Sequence, residues 1–294
     1  MRRSFERASR SYDGAAVLQA RTRRELLDRL RPMRLEPRVV VDLGAGTGHG
    51  ARELKRLYPR ATVVALDISF GMLREARRRS RPFRRVARVC ADAFRLPLAD
   101  ASVGLIFSNL LLQWCDPLAA VAAEIARVLA PEGFLSFSTL GPDTLRELRA
   151  AWSAADEASH VNAFLDMHDV GDMLGGARLA EPVLDVERVE ITYPEVLELL
   201  RDLKAIGAHN VASARSRGLT GRRKWRAMTA AYEAFRRDGR LPASYEVVYG
   251  AAWGGQPRRA FRAAADSEGE ISVPTDSIRR HRHPRAPDPR SKRE

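Results

Sequence analysis

Four residues in one short segment have the types and the spacing of a nucleotide-binding loop. Asp42 ends an apolar, β-branched run, and Gly44, Gly46 and Gly48 follow at alternate positions. Such a run is typical of a buried parallel strand, and glycines after it let the chain turn sharply close to a ligand. The amides at the start of the next helix then face that ligand. The pattern predicts a nucleotide-type pocket after the first strand; the alternative is a glycine-rich turn without a ligand.

The spacing of the glycines narrows the choice of ligand. A dinucleotide loop has the spacing G-x-G-x-x-G, and a P-loop continues into a lysine. Here the spacing is G-x-G-x-G, and Asp42 stands in front of it. A carboxylate at this place repels phosphate and suits a cationic amino-acid group, which favours S-adenosylmethionine. The loop resembles motif I of the class I methyltransferases, and S-adenosylmethionine is the predicted cofactor.

The ends of later strands extend this resemblance. Asp67 ends a second apolar strand about twenty residues beyond the glycines, where an acid accepts hydrogen bonds from a ribose; the alternative is a helix cap. The resemblance implies that residues after the second, third and fourth strands complete the cofactor site. Ile68 and Met72 lie beside the adenine, and Asp92 and Ala93 lie at its amino group. Asn109 follows the fourth strand.

Composition excludes several classes of protein. The 294 residues suffice for a full α/β core, and the two cysteines, Cys90 and Cys115, do not form a disulfide framework. No apolar run reaches the length of a membrane span, and the first residues lack a signal segment. We therefore expect a cytoplasmic protein without membrane contact. The formal net charge of +13 suits acidic partners.

The order of predicted elements indicates the architecture. Strands and helices alternate from residue 38 to about 140, which predicts an α/β fold with a doubly wound, Rossmann-like sheet. Two helices then fall between the last two predicted strands and form a cap over the pocket. We predict three parts. Residues 1–37 form an N-terminal helical segment over the cofactor, and residues 38–254 form a methyltransferase domain whose cap helices lie at about 195–240. Residues 255–294 form a disordered basic tail. Within the domain we also predict a turn, a strand and a helix, at 130–133, 134–139 and 143–152.

Four further blocks resemble one family in particular. They are similar to the malonyl-acyl-carrier-protein O-methyltransferases of biotin synthesis, the BioC family, and the resemblance spans about residues 5–254. The blocks are Ser108–Cys115, Phe137–Leu148, His160–Phe164 and Leu203–Ala208.

The resemblance implies methyl transfer from S-adenosylmethionine to the free carboxylate of a malonyl thioester, an early step of biotin synthesis. A carboxylate of pKa near 4 is ionised at neutral pH, so alignment and exclusion of water suffice for catalysis. Both malonyl-acyl-carrier protein and malonyl-coenzyme A are candidate substrates. An acidic carrier protein would dock on the basic stretch at 215–226.

Four side chains are candidates for handling the substrate. Arg146 is the first candidate to clamp the carboxylate, since a guanidinium binds it in a bidentate manner; the alternative is a solvated helix arginine. Lys204 is a candidate for the carboxylate or the carrier's phosphopantetheine. Gln113 belongs to a block that favours this family, and Tyr12 closes over the methionine moiety and positions the methyl group. We assign no catalytic base and no metal, because His160 and His168 lack a tight ligand spacing.

Two other functions share the fold. One is a protein-arginine hydroxylase or assembly factor of complex I, and the other is a different small-molecule O-methyltransferase. A nucleic-acid partner is not expected: the Asn/Asp-Pro-Pro-aromatic signature of nitrogen methylation is absent, and Cys115 does not follow a proline as the nucleophile of cytosine methylation does.

Overall fold

The computed structural model describes residues 2–80, 85–158, 160–207, 221–255, 264–265 and 271–272. The helices are α1 (Arg2–Ala8), α2 (Tyr12–Ala15), α3 (Val17–Leu30), α4 (His49–Leu57), α5 (Phe70–Arg78), a 3-10 turn (Leu112–Trp114), α6 (Leu118–Val128), α7 (Arg146–Ser153), α8 (Met167–Gly176), α9 (Val196–Ala205) and α10 (Arg222–Glu233). The strands are β1 (Val39–Leu43), β2 (Thr62–Asp67), β3 (Ala87–Cys90), β4 (Val103–Asn109), β5 (Leu129–Leu140), β6 (Ala180–Tyr193), β7 (Leu241–Trp253), β8 (Ala264–Ala265) and β9 (Ile271–Ser272).

Seven strands form one sheet in the order β3-β2-β1-β4-β5-β7-β6. The first five strands are parallel, and β7 runs antiparallel to both β5 and β6. The strand order reverses between β1 and β4, and in a sheet of this kind the crevice at that reversal binds the ligand. The predicted α/β, doubly wound, Rossmann-like sheet is confirmed.

Helices cover both faces of the sheet, which explains why its central strands are apolar on both sides. On one face, α3, α4, α7, α9 and α10 contribute buried side chains to a core that includes Leu26, Leu54 and Tyr232. On the other face, Val121 and Ile125 of α6 pack together with α8. The two helices predicted between the last two strands are present as α9 and α10; α9 borders the third cavity described below, whereas α10 packs on α7.

Two element boundaries differ from the prediction for reasons of long-range contact. Helix α7 begins at Arg146 rather than at residue 143, because Leu145 has a left-handed backbone (φ 54°) and the amide of Asp143 donates to Glu246 of β7 at 2.7 Å. Strand β5 begins at Leu129 rather than at 134, and its register with β4 shifts over the predicted turn 130–133. Both differences come from pairing with elements distant in sequence.

The predicted tail 255–294 lies almost wholly outside the described residues. Residues 258–294 form a separate unit in which β8 and β9 pair antiparallel. In the described part of the chain, none of the helices combines the length and the apolar character that a membrane span requires.

Candidate active site

The glycine loop is held against β2 and leaves one face open to a cavity. The amides of Gly44 and Ala45 both donate to the carbonyl of Leu66, at 2.9 and 3.0 Å. Gly46 has a positive φ of 51° and open space where a Cβ would stand. Gly48 differs, because a Cβ there would lie 2.8 Å from Ala76 of α5, and it does not line the cavities of the site. Gly44 and Gly46 therefore border the cavity, whereas Gly48 permits close packing of two helices.

Asp67 joins the loop after β1 to the loop after β2. Its Oδ2 accepts from the amide of Gly46 and its Oδ1 accepts from the amide of Ser69, both at 2.8 Å. The hydroxyl of Ser69, and not Asp67, caps α5 by accepting from the amide of Met72. Burial raises the pKa of Asp67, and the two amide hydrogen bonds oppose that rise. Each carboxylate oxygen retains a lone pair, so Asp67 can still accept from a ribose.

A largely apolar cavity, which we call the cofactor cavity, opens beside Asp67. Its walls come from the carboxyl ends of β1 to β4 and from the N-terminal segment. They include the predicted residues Ile68, Met72, Asp92, Ala93 and Asn109, together with Phe5, Tyr12, Leu43, Gly44, Gly46, Leu66, Asp67, Ala91, Phe94, Leu110, Leu111, Trp114 and Cys115. The structure thus brings together eight of the ten predicted cofactor residues here; Gly48 lies apart, and Asp42 lines the next cavity along.

Two residues of this cavity, Asn109 and Cys115, have their polar groups engaged or buried within the protein. The amide group of Asn109 is engaged within the protein: its Nδ2 donates to the carbonyl of Gln19, and its Oδ1 accepts from Thr22 and Ser138. Asn109 therefore fastens α3 to the sheet beside the cavity. Burial raises the pKa of Cys115 to about 12, so its thiol is protonated and unreactive at neutral pH.

Two residues that line a second cavity, beneath α3, carry buried acceptor atoms that no donor in the described ranges satisfies. Asp42 is 3 % exposed and its Oδ2 has no hydrogen-bond partner. The Oε1 atom of Gln19 is likewise buried and unpaired, and both residues line this cavity. Buried acceptors are costly unless a donor meets them. The ammonium of the methionine moiety is such a donor, so these residues fit S-adenosylmethionine.

Gln19 is not among the residues predicted for the site, although the sequence around it holds a signal. Ala16, just before α3, and Gln19 and Arg23 on α3 follow one another at helical spacing, and all three line the cavity beneath α3. A polar residue on a helix face that otherwise packs against the sheet indicates a binding role.

The N-terminal strap, residues 2–16, is fastened over the site by two carboxylates. Glu6 accepts from the hydroxyl of Ser69 at 2.7 Å and from the amide of Gly71 at 3.0 Å. Asp13 accepts from Thr47 at 2.6 Å and contacts His49 at 3.0 Å and Arg79 at 2.6 Å. The strap is thereby joined to the loop after β1 and to both ends of α5.

Tyr12 lies on the strap at the meeting point of the cavities. It lines the cofactor cavity, the cavity beneath α3 and a third cavity described below. Its ring is partly exposed, while the desolvation of its hydroxyl and the nearby charges of Asp67 and Asp13 raise its pKa above the ordinary value. A neutral phenol between two cavities suits the predicted positioning role.

The third cavity, of about 100 Å³, lies under the cap and shares Phe5, Tyr12, Leu110 and Trp114 with the cofactor cavity. We call it the substrate cavity. Its remaining walls come from α3, the end of β5, the turn before α7, α7 itself, the segment after it, the end of α9 and β7: Leu18, Gln19, Leu140, Thr144, Leu145, Leu148, His160, Val161, Asn162, Phe164, Leu203, Ile206 and Tyr245.

None of the three predicted substrate residues lines this cavity. Arg146 is 56 % exposed and pairs with Glu147 at 3.2 Å; because α7 begins there, Leu145 and Leu148 face the cavity instead. Lys204 is exposed on α9. Gln113 donates from Nε2 to the carbonyl of Leu110 at 2.7 Å and accepts from Thr139, so it stabilises the 3-10 turn. Their roles toward substrate stay predictions.

His160 borders the substrate cavity within a small polar cluster. Its ring stacks on Trp152 with 3.8 Å between ring centroids, and its Nε2 lies 2.7 Å from Oδ1 of Asp156. Lys224 of α10 contacts the other oxygen of Asp156 at 3.1 Å. Burial raises the pKa of Asp156, but hydrogen bonds from Lys224, His160 and Ala158 bring it below its ordinary value.

His168, the other histidine considered as a metal ligand, does not belong to this cluster and lies exposed at the start of α8. In the described ranges, no three side chains of His, Cys, Asp or Glu converge as a metal site.

The pKa of Asp42 leads to a prediction about cofactor affinity. Burial, together with the charge of Asp67, raises this pKa to about 7, so the carboxyl is protonated below pH 7 and ionised above it. Because only the ionised form attracts an ammonium, the affinity for S-adenosylhomocysteine will be about tenfold weaker at pH 6 than at pH 8. Calorimetric titration at pH 6, 7 and 8 measures this change. In Asp42→Asn the affinity will be weaker at pH 8 and nearly independent of pH; a slope as steep as in the unaltered protein contradicts the assignment.

The contacts of Asp13 lead to a prediction about the strap. Burial raises its pKa, but hydrogen bonds from His49 and Thr47 and the charge of Arg79 bring it down to about 2, so these contacts are present above about pH 4 and lost as the pH falls toward 2. At pH 7, Asp13→Asn will speed dissociation of S-adenosylhomocysteine by about tenfold, the effect of one charge-assisted hydrogen bond. Stopped-flow dissociation and amide hydrogen exchange over residues 2–16 report it. Asp28→Asn, which removes an exposed ion pair on α3, is the control; equal dissociation rates in the two variants refute the role.

Comparison with known proteins agrees with the geometry. The family profile described as "Methyltransferase domain" matches residues 41–137. Among solved structures, the chain is similar to a SAM-dependent methyltransferase of Thermotoga maritima, "possible histamine N-methyltransferase", with 18% identity, a TM-score of 0.53 and coverage of 87% of this chain and 100% of that one. It is also similar to the YcgJ protein of Bacillus subtilis, with 16% identity, a TM-score of 0.57 and coverage of 79% and 98%. At these identities the two structures establish the fold.

Curated relatives at higher sequence identity identify the family as well as the fold. A malonyl-[acyl-carrier protein] O-methyltransferase of Gallionella capsiferriformans is 50% identical over 264 residues, which cover 88% of this chain and 91% of the relative. The protein of the same name from Laribacter hongkongensis is 51% identical, with coverage of 90% and 93%. The one from Legionella pneumophila is 40% identical, with coverage of 87% and 91%. This chain therefore belongs to the malonyl-[acyl-carrier protein] O-methyltransferase family.

Proposed function

We propose that the protein methylates the free carboxylate of a malonyl thioester carried by an acyl carrier protein, an early step of biotin synthesis. The observation that carries this proposal is the small substrate cavity, which shares four walls with the cofactor cavity. The names of the curated relatives supply the substrate. Those relatives cover about nine tenths of the chain, and they favour this function over the assembly-factor alternative.

When bound, S-adenosylmethionine supplies an activated methyl group on a sulfonium. The chain's own residues hold the donor and close the space around it. Asp67 would hold the ribose, while Asp42 and Gln19 would hold the ammonium and so fix the position of the donor. Phe5, Tyr12 and Trp114 form the wall between donor and substrate and exclude water from the space where they meet.

The substrate needs no base, because the malonyl carboxylate is already an anion at neutral pH. The bound donor would supply its methyl carbon to one carboxylate oxygen, and the electron pair of the broken carbon–sulfur bond would stay on sulfur. No proton moves. Orientation in a closed cavity is then the main contribution of the protein, worth up to about 7–11 kcal/mol.

A direct assay tests the function. Purified protein is incubated with methyl-labelled S-adenosylmethionine and either malonyl-acyl-carrier protein, malonyl-coenzyme A or, as control, acetyl-acyl-carrier protein. We expect a base-labile methyl ester on the malonyl thioesters and none on the acetyl thioester, which has no free carboxylate. Absence of ester from both malonyl substrates, or label transferred to protein or RNA instead, rejects the proposal.

The exposed basic face of α10 is the proposed docking site for the acidic carrier protein. Arg222, Arg223 and Arg226 are exposed there, and Lys224 on the same helix reaches Asp156 beside the substrate cavity. A carrier held on this face would thus present its prosthetic arm near that cavity, and opposite charges would steer the encounter. The predicted residues 215–217 of this basic stretch lie outside the described residues.

Charge reversal tests this docking face. The double variant Arg222→Glu/Arg226→Glu will raise KM for malonyl-acyl-carrier protein about tenfold at low salt and leave KM for malonyl-coenzyme A within about twofold. The matched control is Arg34→Glu/Arg60→Glu, since these exposed arginines precede β1 and β2 at the opposite edge of the sheet. Steady-state kinetics with both substrates make the comparison. An unchanged KM for the carrier substrate, or an equal rise in the control, places the docking elsewhere.

A further inference from the structure

The walls of the substrate cavity are short of positive charge. Among the described residues that line it, His160 is the only one that can carry a positive charge. A malonyl group brings a full negative charge into this space. Moving a carboxylate from water into a largely apolar cavity is strongly unfavourable unless a cation or several donors meet it. His160 is therefore placed where such a cation is needed.

The ring of His160 is held before any substrate arrives. Trp152 stacks on one face at an interplanar angle of 11°, and an aromatic face also stabilises a cation lying over it. Asp156 holds Nε2 at 2.7 Å, and Asp156 is itself held by Lys224 and by the amide of Ala158 at 3.1 Å each. The side chain of His160 is only 18 % exposed, so its orientation is set by protein contacts rather than by solvent.

We propose that His160, as an imidazolium, binds the free carboxylate of the malonyl group and thereby selects the acid as substrate. This inference rests on the proposed function. The imidazolium has two N–H donors. Asp156 accepts one of them at Nε2, and the substrate carboxylate accepts the other at Nδ1. Asp156 is thus a positioning residue, and His160 is the residue that touches the substrate.

The contact with His160 leaves the substrate carboxylate able to attack the methyl group. A carboxylate has two oxygens; His160 holds one, and the other is directed toward the methyl group of the donor. Transfer converts the anion into a neutral ester and removes the charge that His160 attracts. The same side chain therefore favours binding of the substrate and release of the product.

A binding experiment separates recognition of charge from a structural role. Protein saturated with S-adenosylhomocysteine is titrated with malonyl-coenzyme A and with its methyl ester, which differ at the carboxyl group alone. We expect the unaltered protein to bind the acid at least tenfold more tightly than the ester. In His160→Gln, which keeps a polar side chain without the charge, the two affinities become equal within about twofold, while S-adenosylhomocysteine binds as before. His168→Gln, at the exposed histidine of α8, keeps the full preference.

A second variant covers the case in which His160→Gln does not fold. Asp156→Asn retains the imidazole but removes the carboxylate that orients it, and it will reduce the preference for the acid several-fold. A preference for the acid that persists in both variants overturns the role of His160. The methylation assay of the unaltered protein separates failure of the proposed function from failure of the inference about His160. If no methyl ester forms on malonyl thioesters, the proposed function is wrong. If the ester forms, the comparison of the affinities for the acid and the ester decides the role of His160.

Discussion

The unpaired acceptors under α3 are the constraint on which the site depends. Asp42 Oδ2 and Gln19 Oε1 are removed from water and lack a donor in the described ranges, and such atoms raise the free energy of the folded chain. A ligand that brings an ammonium removes this cost and so stabilises the fold on binding. The glycine loop and Asp67 serve the same arrangement, because they fix the loop after β1 against β2 and keep the space beside Asp42 open.

The strap completes the site from the other side. Glu6 and Asp13 carry negative charges to the hydroxyl and amides around α5 and to Arg79, and anions are favourable near the start of a helix. These are contacts at a partly exposed surface, weaker than the apolar packing that holds the sheet. The strap is thus attached in large part by polar contacts, and a segment of this kind can open without unfolding the sheet.

Much of the architecture follows from local sequence. The apolar β-branched runs before Asp42 and Asp67 predict buried parallel strands, and those strands occur where expected, because burial on both faces leaves a continuous apolar pattern. The glycine spacing and the acids after the strands predict the cofactor walls for the same reason: parallel strands bring their carboxyl ends together at one edge.

The rest depends on contacts between distant parts of the chain. The late start of α7 follows from Glu246 of β7, and it turns Leu145 and Leu148, rather than Arg146, toward the cavity. The hydrogen bonds of Asn109 depend on the position of α3, and those of Glu6 and Asp13 on how the strap folds back. The setting of His160 is only partly local, because Trp152 and Asp156 lie eight and four residues before it, whereas Lys224 comes from α10.

The position of Phe5 and Tyr12 in the walls of both cavities couples the two binding events. A ligand that orders residues 2–16 in one cavity also completes the wall of the other. By linkage the effect is reciprocal, so each ligand then raises the affinity for the other by the same factor.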